Sequence, residues 1–351
     1  MLRNQYPAQH LLVDSLPSDA LDAGHACQPA CPAVAISIVN WKGLPDTQAC
    51  CESLTKLTYR NAQVLVSDNA SGDGSAETLR ASFPQFTHVS NNENLGFSGG
   101  NNAVIRRACA QGFKYVLLLN NDTVVDPDFL CAMVRAAEAD PMIGMVGAKV
   151  YFASEPDVIW YAGGVINFSK VHPFAHVGEG DVDRRQHDLA RETDWITGCC
   201  LLVRCELVRQ VGLLDELFGY YCEDVDWCLR ARRMGWKVWY EPRARVWHQI
   251  GRSARQARLP QSYYYRRNAL LIARRNLSWR ERVRFYYRTI RWVRRVDKSN
   301  PEKSSLVRGI VHGVLGLSGP ASGIGAGWWN LLAAVVAQHL YRRTALKDAQ
   351  S

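Results

Sequence analysis

The sequence predicts an α/β fold in which an open sheet is flanked by helices. Short apolar runs rich in β-branched residues recur through the first 120 residues, helix-like segments separate them, and polar residues follow several of the runs. Strands that alternate with helices favour a sheet with right-handed crossover connections. A length of 351 residues allows one large domain with an appendage, or two domains.

The first four strands and their helices follow in order along the chain. The predicted elements are a strand at 33–40, a helix at 43–57, a strand at 62–69, a strand that ends near Val89, a helix through 101–110 and a strand at 115–120. The composition of 33–40 suits a buried parallel strand. Further along, 237–240 and 246–248 are predicted as two short strand-like runs separated by Pro242.

The ends of the chain differ from this pattern. Residues 1–32 are rich in Pro, Ala, Asp and Gln and have no apolar run after their basic residues. They are therefore predicted to be a poorly ordered leader and not a signal peptide. No run of about eighteen apolar residues occurs, so no membrane-spanning helix is predicted. The strongest candidate, 323–340, is interrupted by Asn330, Gln338 and His339.

Composition excludes several classes of protein. A hydrophobic fraction of 47% and a charged fraction of 21% are those of a globular chain, not of a collagenous or wholly disordered one. The eleven cysteines are irregularly spaced, and only Cys27 and Cys31 resemble a pair of zinc ligands, with no second such pair to complete a zinc site. Because several others lie in apolar runs, buried free thiols in a reducing cytoplasm are expected.

Positive charge is concentrated towards the C-terminus. The net charge is +9, but residues 243–308 carry nineteen Lys or Arg against three acids, a local balance of +16. Within them, 280–295 interleaves aromatic residues with arginines. That composition favours a helix on an anionic membrane surface over an ordinary solvated helical face. Nucleic acid also fits the charge, but no recognised nucleic-acid-binding motif accompanies it, so no such partner is expected.

Residues 219–230 contain a dense acidic cluster. Glu223, Asp224 and Asp226 place three carboxylates within four residues, among aromatic and apolar neighbours. In such surroundings one carboxylate raises the pKa of the next and prepares it for proton chemistry. The simpler interpretation is an acidic helix N-terminus, because carboxylates favour the positive end of the helix dipole.

Polar residues follow three of the predicted strands. They are Asn40, the pair Asp68 and Asn69, and the run 120–122. Ligands bind at this edge of open α/β sheets. Asp122 there is a candidate ligand for Mg²⁺ or Mn²⁺, although a lone Asp after a strand is often a turn residue. His248 among aromatics is most simply a core residue, unless a partner such as Asp122 lies nearby.

Residues 91–102 form a glycine-rich turn that opens a helix. Their spacing is wrong for a dinucleotide-binding fingerprint. Glycines at a helix N-terminus still permit close backbone approach to a phosphate or sugar. A simple helix-capping loop is the alternative.

Together and in this order, the motifs resemble the inverting, GT-A-fold nucleotide-sugar glycosyltransferases of family 2, and most of all their rhamnosyltransferase-like branch. The segments that carry the resemblance are 39–41, 67–71, 92–97, 119–122, 197–198, 223–226 and 264–268. The resemblance covers about 33–276. It therefore implies a GT-A domain at 33–276 and leaves 277–351 as a basic, amphipathic helical extension.

The resemblance also implies roles for individual residues. Donor binding would fall to Asn40, Asp68, Asn69, Asn94, Gly96, Phe97 and Asn121. Asp224 would be the catalytic base with Glu223 beside it, Asp226, Trp195 and Gly198 would lie on the acceptor side, and Asp122 and His248 would bind the metal. One departure is Asn120, which stands where the family's Asp-x-Asp motif has its first Asp and so removes one charged ligand.

The implied activity is transfer of a sugar from a nucleotide-diphospho-sugar, with dTDP-rhamnose expected. The acceptor would be a saccharide or polyprenyl-linked sugar in cell-surface polysaccharide synthesis, with Mg²⁺ or Mn²⁺ as cofactor. The expected location is the cytoplasmic face of the plasma membrane. A non-catalytic saccharide- or nucleotide-binding module is the alternative. An oxidoreductase is disfavoured because no Gly-x-Gly-x-x-Gly follows the first strand.

Overall fold

The computed structural model describes residues 31–249, 261–297, 300 and 302–317. Most of the predicted leader, the apolar candidate at 323–340 and the end of the predicted extension lie outside this part of the chain. Among the described helices, none is both long and apolar enough to cross a membrane.

Twelve strands and nine α-helices make up the described part. The strands are β1 Val34–Asn40, β2 Ala62–Asp68, β3 Thr87–Ser90, β4 Tyr115–Leu119, β5 Thr123–Val125, β6 Ile143–Phe152, β7 Glu155–Tyr161, β8 Gly164–Ile166, β9 Phe174–His176, β10 Arg191–Glu192, β11 Cys200–Arg204 and β12 Lys237–His248. The helices are α1 Leu44–Leu54, α2 Ser75–Ser82, α3 Gly96–Ala110, α4 Phe129–Ala139, α5 Cys205–Val211, α6 Glu223–Arg233, α7 Gln261–Asn276, α8 Trp279–Arg295 and α9 Lys303–Leu315.

One mixed sheet organises the molecule, in the order β10-β12-β6-β11-β4-β1-β2-β3. Strands β1, β2, β3 and β4 pair in parallel, whereas β11 is antiparallel to both β4 and β6. Asn40 therefore lies opposite Asp68 in the register, and the strand ends share one edge. The predicted open α/β sheet flanked by helices is confirmed.

Strand β12 differs from the prediction. The two runs predicted on either side of Pro242 are one strand, Lys237–His248, parallel to β6, with a register shift between Glu241 and Arg245. The irregular stretch accommodates Pro242, because a bulged residue needs no ladder N–H. The strand therefore continues to His248, at its last position.

Helix α3 begins at Gly96, earlier than predicted, and its glycines serve close packing. A Cβ on Gly100 would lie 2.9 Å from Val39 Cγ1 and 3.1 Å from Asn69 Nδ2. Helix α3 can therefore approach the ends of β1 and β2 only because this position has no side chain. The glycine-rich turn is thereby held against the sheet edge.

The three C-terminal helices form a compact addition to the sheet. Helix α9 packs on α7, where a Cβ on Gly313 would lie 2.8 Å from the Arg267 carbonyl oxygen. Helix α8 begins at a capping box formed by Ser278 and Glu281. The described part of the predicted extension is therefore helical, while a domain boundary after Asn276 stays a prediction.

The cysteines of the described ranges are free thiols, and most of them are buried, as expected from their apolar surroundings.

Candidate active site

Asn40, at the end of β1, is completely buried and joins three segments. Its Nδ2 donates to Asp68 Oδ1 at 2.8 Å and to Ser75 Oγ at 2.9 Å. Its Oδ1 accepts from Thr47 Oγ1 at 2.9 Å. Both ends of the amide are thus bonded within the protein. These bonds give Asn40 an ordering role for the loop after β2, and its direct contact with a donor stays a prediction.

Asp68 is held by the turn that follows it. Ser71 donates to its carboxylate twice, from the hydroxyl at 2.6 Å and from the backbone amide at 3.0 Å. This is the Asx-type turn of the simpler interpretation. The same turn fixes the Asp68 carboxylate at the ligand edge of the sheet, where its predicted role in donor binding would require it.

Asn69 connects the end of β2 to the glycine-rich turn. Its Nδ2 donates to the Gly96 carbonyl at 3.0 Å, and its Oδ1 accepts from Asn91 Nδ2 at 2.7 Å. Asn94 Oδ1 in turn accepts from the Gly96 amide at 2.9 Å, and Gly96 has a φ of +66° that favours glycine. The structure therefore brings Asn69, Asn94 and Gly96 together. Asn91, which the sequence interpretation did not assign, completes the set.

Asn121 lies on the other side of the β1 end. Its Nδ2 donates to Thr47 Oγ1 at 2.8 Å, so the hydroxyl links Asn121 to Asn40. This contact extends the bonded network from β2 to β4.

The turn that leads into α6 is strained. Tyr221 and Cys222, neither of them glycine, have φ values of 67° and 70°. Such backbone is costly for ordinary side chains and persists only where the surroundings enforce it. Because α6 then begins at Glu223, the acidic cluster occupies its first turn. The helix N-terminus of the simpler interpretation is therefore present.

Helix α7 enforces that turn. Asn268 Nδ2 donates to the carbonyls of Phe218, Tyr220 and Tyr221 at 3.0, 2.8 and 2.6 Å. The Arg267 guanidinium donates to the Phe218 carbonyl as well. The family resemblance includes the 264–268 segment but gives it no role. Its contacts make it the support of the acidic turn.

Asp224 projects from the first turn of α6 towards β11. Its Oδ2 accepts from the Gly198 amide and its Oδ1 from the Val225 amide, each at 2.8 Å. Burial raises the pKa of the Asp224 carboxyl to about 6, against the lowering effect of these hydrogen bonds. A carboxylate with such a pKa is well suited to accept a proton near neutral pH.

Phe97 and Gly198 meet beside this carboxylate. A Cβ on Gly198 would lie 2.8 Å from Phe97 Cζ and 3.6 Å from Asp224 Oδ2. The glycine therefore permits the start of α3 and the start of α6 to close on each other. Phe97, Gly198 and Asp224, which were predicted from separate motifs, therefore lie next to one another.

Glu223 differs from its neighbour. It is buried, and its Oε2 has no hydrogen-bond partner among the described residues. Burial, followed by the charge of Asp224, raises the pKa of the Glu223 carboxyl well above its usual range. The protonated form of Glu223 is thereby favoured, which leaves Asp224 as the carboxylate of the pair.

Asp226 is 0% exposed and bound to two arginines. Its Oδ2 accepts from Arg230 Nε at 2.7 Å, and its Oδ1 accepts from the Arg275 guanidinium at 3.0 Å. Arg275 also pairs with Asp215 at 2.8 Å. These contacts anchor α6 to α7, so they show a structural role for Asp226. Its predicted place on the acceptor side stays a prediction.

Asp122 and His248 form a buried pair at the end of β12. Asp122 Oδ1 lies 3.0 Å from His248 Nε2, and Asn120 Nδ2 lies 3.4 Å from the same nitrogen. Asp122 therefore lies next to His248, which is the condition under which His248 was expected to be more than a core residue. Pairing of β5 with β12 places Thr123 opposite His248 and so brings the two residues together.

The pair fits part of a cation site. A carboxylate oxygen and an imidazole nitrogen are both ligands that Mn²⁺ accepts, and such ions commonly take one or two protein ligands and complete their shell with phosphates. The His248 Nδ1 is buried with no partner in the described ranges. No three His, Cys, Asp or Glu side chains converge within those ranges, so the protein there supplies a partial site.

Cys199 is within electrostatic range of both acidic groups, Asp122 and Asp224. Burial raises the pKa of its thiol well above the usual range, and the charges of Asp122 and Asp224 add to that effect. Both carboxylates therefore lie near the same side chain. The cation pair and the predicted base consequently belong to one site.

An aromatic cluster connects these groups along β7, β9 and the segment before β11. Ring centroids lie 4.8 Å apart for His248 and Trp160, 4.6 Å for Trp160 and His176, and 5.3 Å for His176 and Trp195. Trp195 is buried, and its carbonyl accepts from Tyr161 Oη at 2.6 Å. Trp160 and His176 were not predicted, because nothing in their local sequence marks them.

Comparison with known proteins shows which family the chain matches. The family model described as glycosyltransferase-like family 2 matches residues 32–267. The chain is 27% identical over 262 residues to an N-acetylglucosaminyl-diphospho-decaprenol L-rhamnosyltransferase of Mycobacterium tuberculosis, covering 69% of this chain and 84% of that protein. It is 26% identical over 195 residues to a poly-beta-1,6-N-acetyl-D-glucosamine synthase of Staphylococcus aureus, covering 54% and 43% of the two chains.

A solved structure supports the fold. The crystal structure of GalNAc-T7 with UDP, GalNAc and Mn²⁺ superposes with a TM-score of 0.58 and 15% identity, over 79% of this chain and 54% of that one. At this identity the similarity concerns the fold alone. It confirms the predicted GT-A architecture.

Proposed function

This chain belongs to glycosyltransferase-like family 2 and is an enzyme of the glycosyltransferase type, and on that premise we propose that it transfers L-rhamnose from dTDP-rhamnose to an N-acetylglucosaminyl diphosphate carried on a polyprenol. The similarity to the mycobacterial rhamnosyltransferase, which spans 84% of that protein, supports this choice of donor and acceptor. The observation that carries the proposal is Asp224, with a pKa raised by burial to about 6, beside Gly198 and Phe97.

Asp224 acts as the general base. The acceptor hydroxyl attacks the anomeric carbon of the donor sugar, a new C–O bond forms, and the bond to the nucleoside diphosphate breaks in the same displacement. The hydroxyl proton passes to Asp224. A single displacement inverts the configuration at the anomeric carbon.

Asp122 and His248 are the residues that would hold a divalent cation. When bound, such a cation offsets the charge of the departing diphosphate. The carboxylate and imidazole lie 3.0 Å apart and near the same thiol as Asp224. The residues at the ends of β1 and β2 would hold the nucleotide and its sugar, with Asp68, Asn69 and the turn at Gly96 nearest the ligand edge.

A transfer assay tests the proposal. The full chain is incubated with Mn²⁺, a synthetic N-acetylglucosaminyl diphosphate bearing a short alkyl chain, and one of dTDP-rhamnose, UDP-N-acetylglucosamine or GDP-mannose. We expect a disaccharide from dTDP-rhamnose, with the inverted anomeric configuration by NMR. Transfer from another donor would contradict the rhamnosyl assignment. Binding of nucleotide with neither transfer nor hydrolysis would instead favour the non-catalytic module.

We also propose that α8 rests on the anionic membrane surface that carries the acceptor. Phe285, Thr289 and Val293 face inwards. The outer face is exposed and combines arginines with apolar side chains: Trp279, Arg280, Val283, Arg284, Tyr287, Arg291, Arg294 and Arg295. A helix of this composition binds anionic headgroups through its charge and inserts its apolar side chains at the boundary with the acyl chains.

Vesicle sedimentation tests this membrane contact. We expect binding to phosphatidylglycerol vesicles, weaker binding to phosphatidylcholine vesicles, and a loss of at least about 30-fold for the Arg284→Glu, Arg291→Glu double variant, because each arginine near the surface contributes about 1 kcal/mol and the two together about 2 kcal/mol. The Arg60→Glu, Arg107→Glu variant changes the same charge at exposed positions elsewhere. Equal losses for the two variants would show a general charge effect and contradict a role for α8.

A further inference from the structure

We propose that Trp160 and His176 form the subsite that holds the sugar ring of the acceptor, with the Trp160 indole stacked on that ring. The inference rests on the proposed function, because it assumes that a saccharide acceptor reaches Asp224. It assigns to two residues of β7 and β9 a role in positioning the acceptor.

The first observation is the position of the Trp160 ring. Its ring lies close to two histidine rings, with centroids 4.8 Å from His248 and 4.6 Å from His176. Its neighbours in β7, Ile159 and Tyr161, are completely buried, whereas Trp160 is partly exposed. A large indole therefore remains accessible directly beside the residue pair that would face the diphosphate.

The second observation is that a chain of contacts runs from the Trp160 ring to the proposed base, Asp224. His176 packs against Trp195 at 5.3 Å, and Trp195 lies three residues before Gly198, whose amide donates to Asp224 at 2.8 Å. The cluster therefore extends from the cation pair to the side of the site where an acceptor hydroxyl would meet Asp224. A sugar that spans this distance would contact Trp160 and His176.

The chemistry of the two side chains suits a sugar. Binding sites for small polar molecules combine aromatic walls with a few placed hydrogen-bonding groups. An indole face packs against the C–H face of a pyranose, while hydroxyls need acceptors and donors at the edge. The Trp160 carbonyl lies 3.0 Å from His176 Nδ1 and can only accept, so that nitrogen carries the proton.

The other ring nitrogen of His176 is then a hydrogen-bond acceptor. Burial lowers the pKa of His176 to about 4, so the ring is neutral at physiological pH. Nε2 of a neutral ring protonated at Nδ1 accepts a hydrogen bond from a hydroxyl. The pair thus offers a stacking face and a hydroxyl acceptor in one place.

Strand β12 provides a matched control. Trp247 is adjacent to His248 in β12, yet side chains alternate along a strand, and Trp247 stacks instead on Tyr151 with centroids 5.7 Å apart. Its indole Nε1 donates to the Pro156 carbonyl at 3.1 Å. Trp247→Ala therefore removes an indole of similar burial beside the cation pair without touching the proposed subsite.

Steady-state kinetics with the synthetic alkyl N-acetylglucosaminyl diphosphate, dTDP-rhamnose and Mn²⁺ test the proposal. For Trp160→Ala we expect the acceptor KM to rise about 10-fold, the size of one lost aromatic contact, with the donor KM and the half-saturating Mn²⁺ concentration unchanged. Trp160→Phe should restore most of the affinity, and Trp247→Ala should leave the acceptor KM unchanged. A change confined to the donor KM, or to the Mn²⁺ requirement, would overturn the assignment.

A direct binding measurement keeps this inference separate from the proposed function. In saturation-transfer NMR, ring protons of the N-acetylglucosamine unit should receive saturation from the wild-type chain and lose it in Trp160→Ala and His176→Ala. If the wild type binds the probe in this way but transfers no rhamnose, the proposed function fails and the subsite stands. If the wild type shows no saturation transfer, or the two variants match it, the subsite is wrong.

Discussion

The ends of β1 and β2 differ from the start of α6 in how their polar groups are bonded. At the ends of β1 and β2, Asn40, Asp68 and Asn69 have their polar atoms bonded to other protein groups. At the start of α6, Glu223 has a buried oxygen without a partner in the described ranges, and the backbone before it is strained. The ends of β1 and β2 are therefore held in a fixed arrangement, whereas the start of α6 contains two carboxyls whose pKa is raised by burial.

The contrast has a physical basis. Hydrogen-bonded amides and hydroxyls hold loops in position at little cost in free energy, which suits recognition of a nucleotide. Burial raises the pKa of a carboxyl at the expense of stability, and the ionised form of such a carboxyl is a stronger base. Asp224, whose oxygens accept two backbone hydrogen bonds, and Glu223, whose Oε2 has no partner in the described ranges, are the two carboxyls buried in this way.

Asp224→Asn is the most severe test of this contrast. Because the amide cannot accept the proton, we expect kcat to fall about 10³-fold, with the donor KM nearly unchanged. Asp226→Asn is the control within the same helix turn. It breaks ion pairs to Arg230 and Arg275 and should lower the free energy of unfolding by about 3 kcal/mol. Near-normal transfer by a folded Asp224→Asn variant would show that another group is the base.

His248→Ala should have the next largest effect. Loss of one of the two predicted cation ligands should lower kcat/KM about 100-fold at fixed Mn²⁺, and higher Mn²⁺ should recover part of the activity. Removal of the metal by a chelator should have a comparable effect on the wild type. His187→Ala, on the loop where His187 contacts Asp181, is the control. Insensitivity of the wild type to chelation would argue against a cation at Asp122 and His248.

The pH profile should then report the burial of Asp224. Its pKa is raised to about 6 by burial, and the base must be ionised to act. The active fraction therefore falls as pH drops through 6, and kcat/KM should decline about 10-fold per pH unit below that value. Measurement from pH 4.5 to 8 would locate the midpoint. A flat profile down to pH 5 would mean that the carboxylate is not desolvated during catalysis.

Asn268→Ala tests whether the strained turn depends on α7. The Tyr220 and Tyr221 carbonyls lose the Asn268 donor, while the Phe218 carbonyl keeps Arg267. The loss should cost about 1–3 kcal/mol in stability and lower kcat about 10-fold as Asp224 shifts. Asn276→Ala, at the end of the same helix, removes only a bond to the Ile272 carbonyl. If both variants kept full kcat, the turn would hold its shape without this support.

Glu223→Gln should have the smallest effect, and a stabilising one. The folded-state pKa of Glu223 is raised, so the folded protein holds a proton that the unfolded chain has released, and stability is lost as pH rises. The neutral amide removes that loss. We expect a higher Tm than the wild type at pH 8 and no difference below pH 4, by calorimetry. A lower Tm at pH 8 would show that the carboxylate is paired and ionised.

Most of the fold and half of the site were predictable from local pattern. Strands β1, β2 and β4 follow from apolar runs, and parallel pairing then brings Asn40, Asp68 and Asp122 to one edge. The single strand through Pro242 was not foreseen, because a bulge depends on the partner strand and not on the local sequence. Trp160 and His176 were also missed, since only the pairing of distant segments places them beside His248.

The sequence alone determined the order of elements and which residue types stand at the ligand edge, because periodicity and strand ends are local properties. Tertiary structure decided what each residue does there. Asn268 reaches Tyr221 across 47 positions, and Arg275 reaches Asp226 across 49. Such contacts determine which carboxylate is paired, which is desolvated and which can take a proton. A pKa depends on every group nearby in space, and most of those groups are remote in the chain.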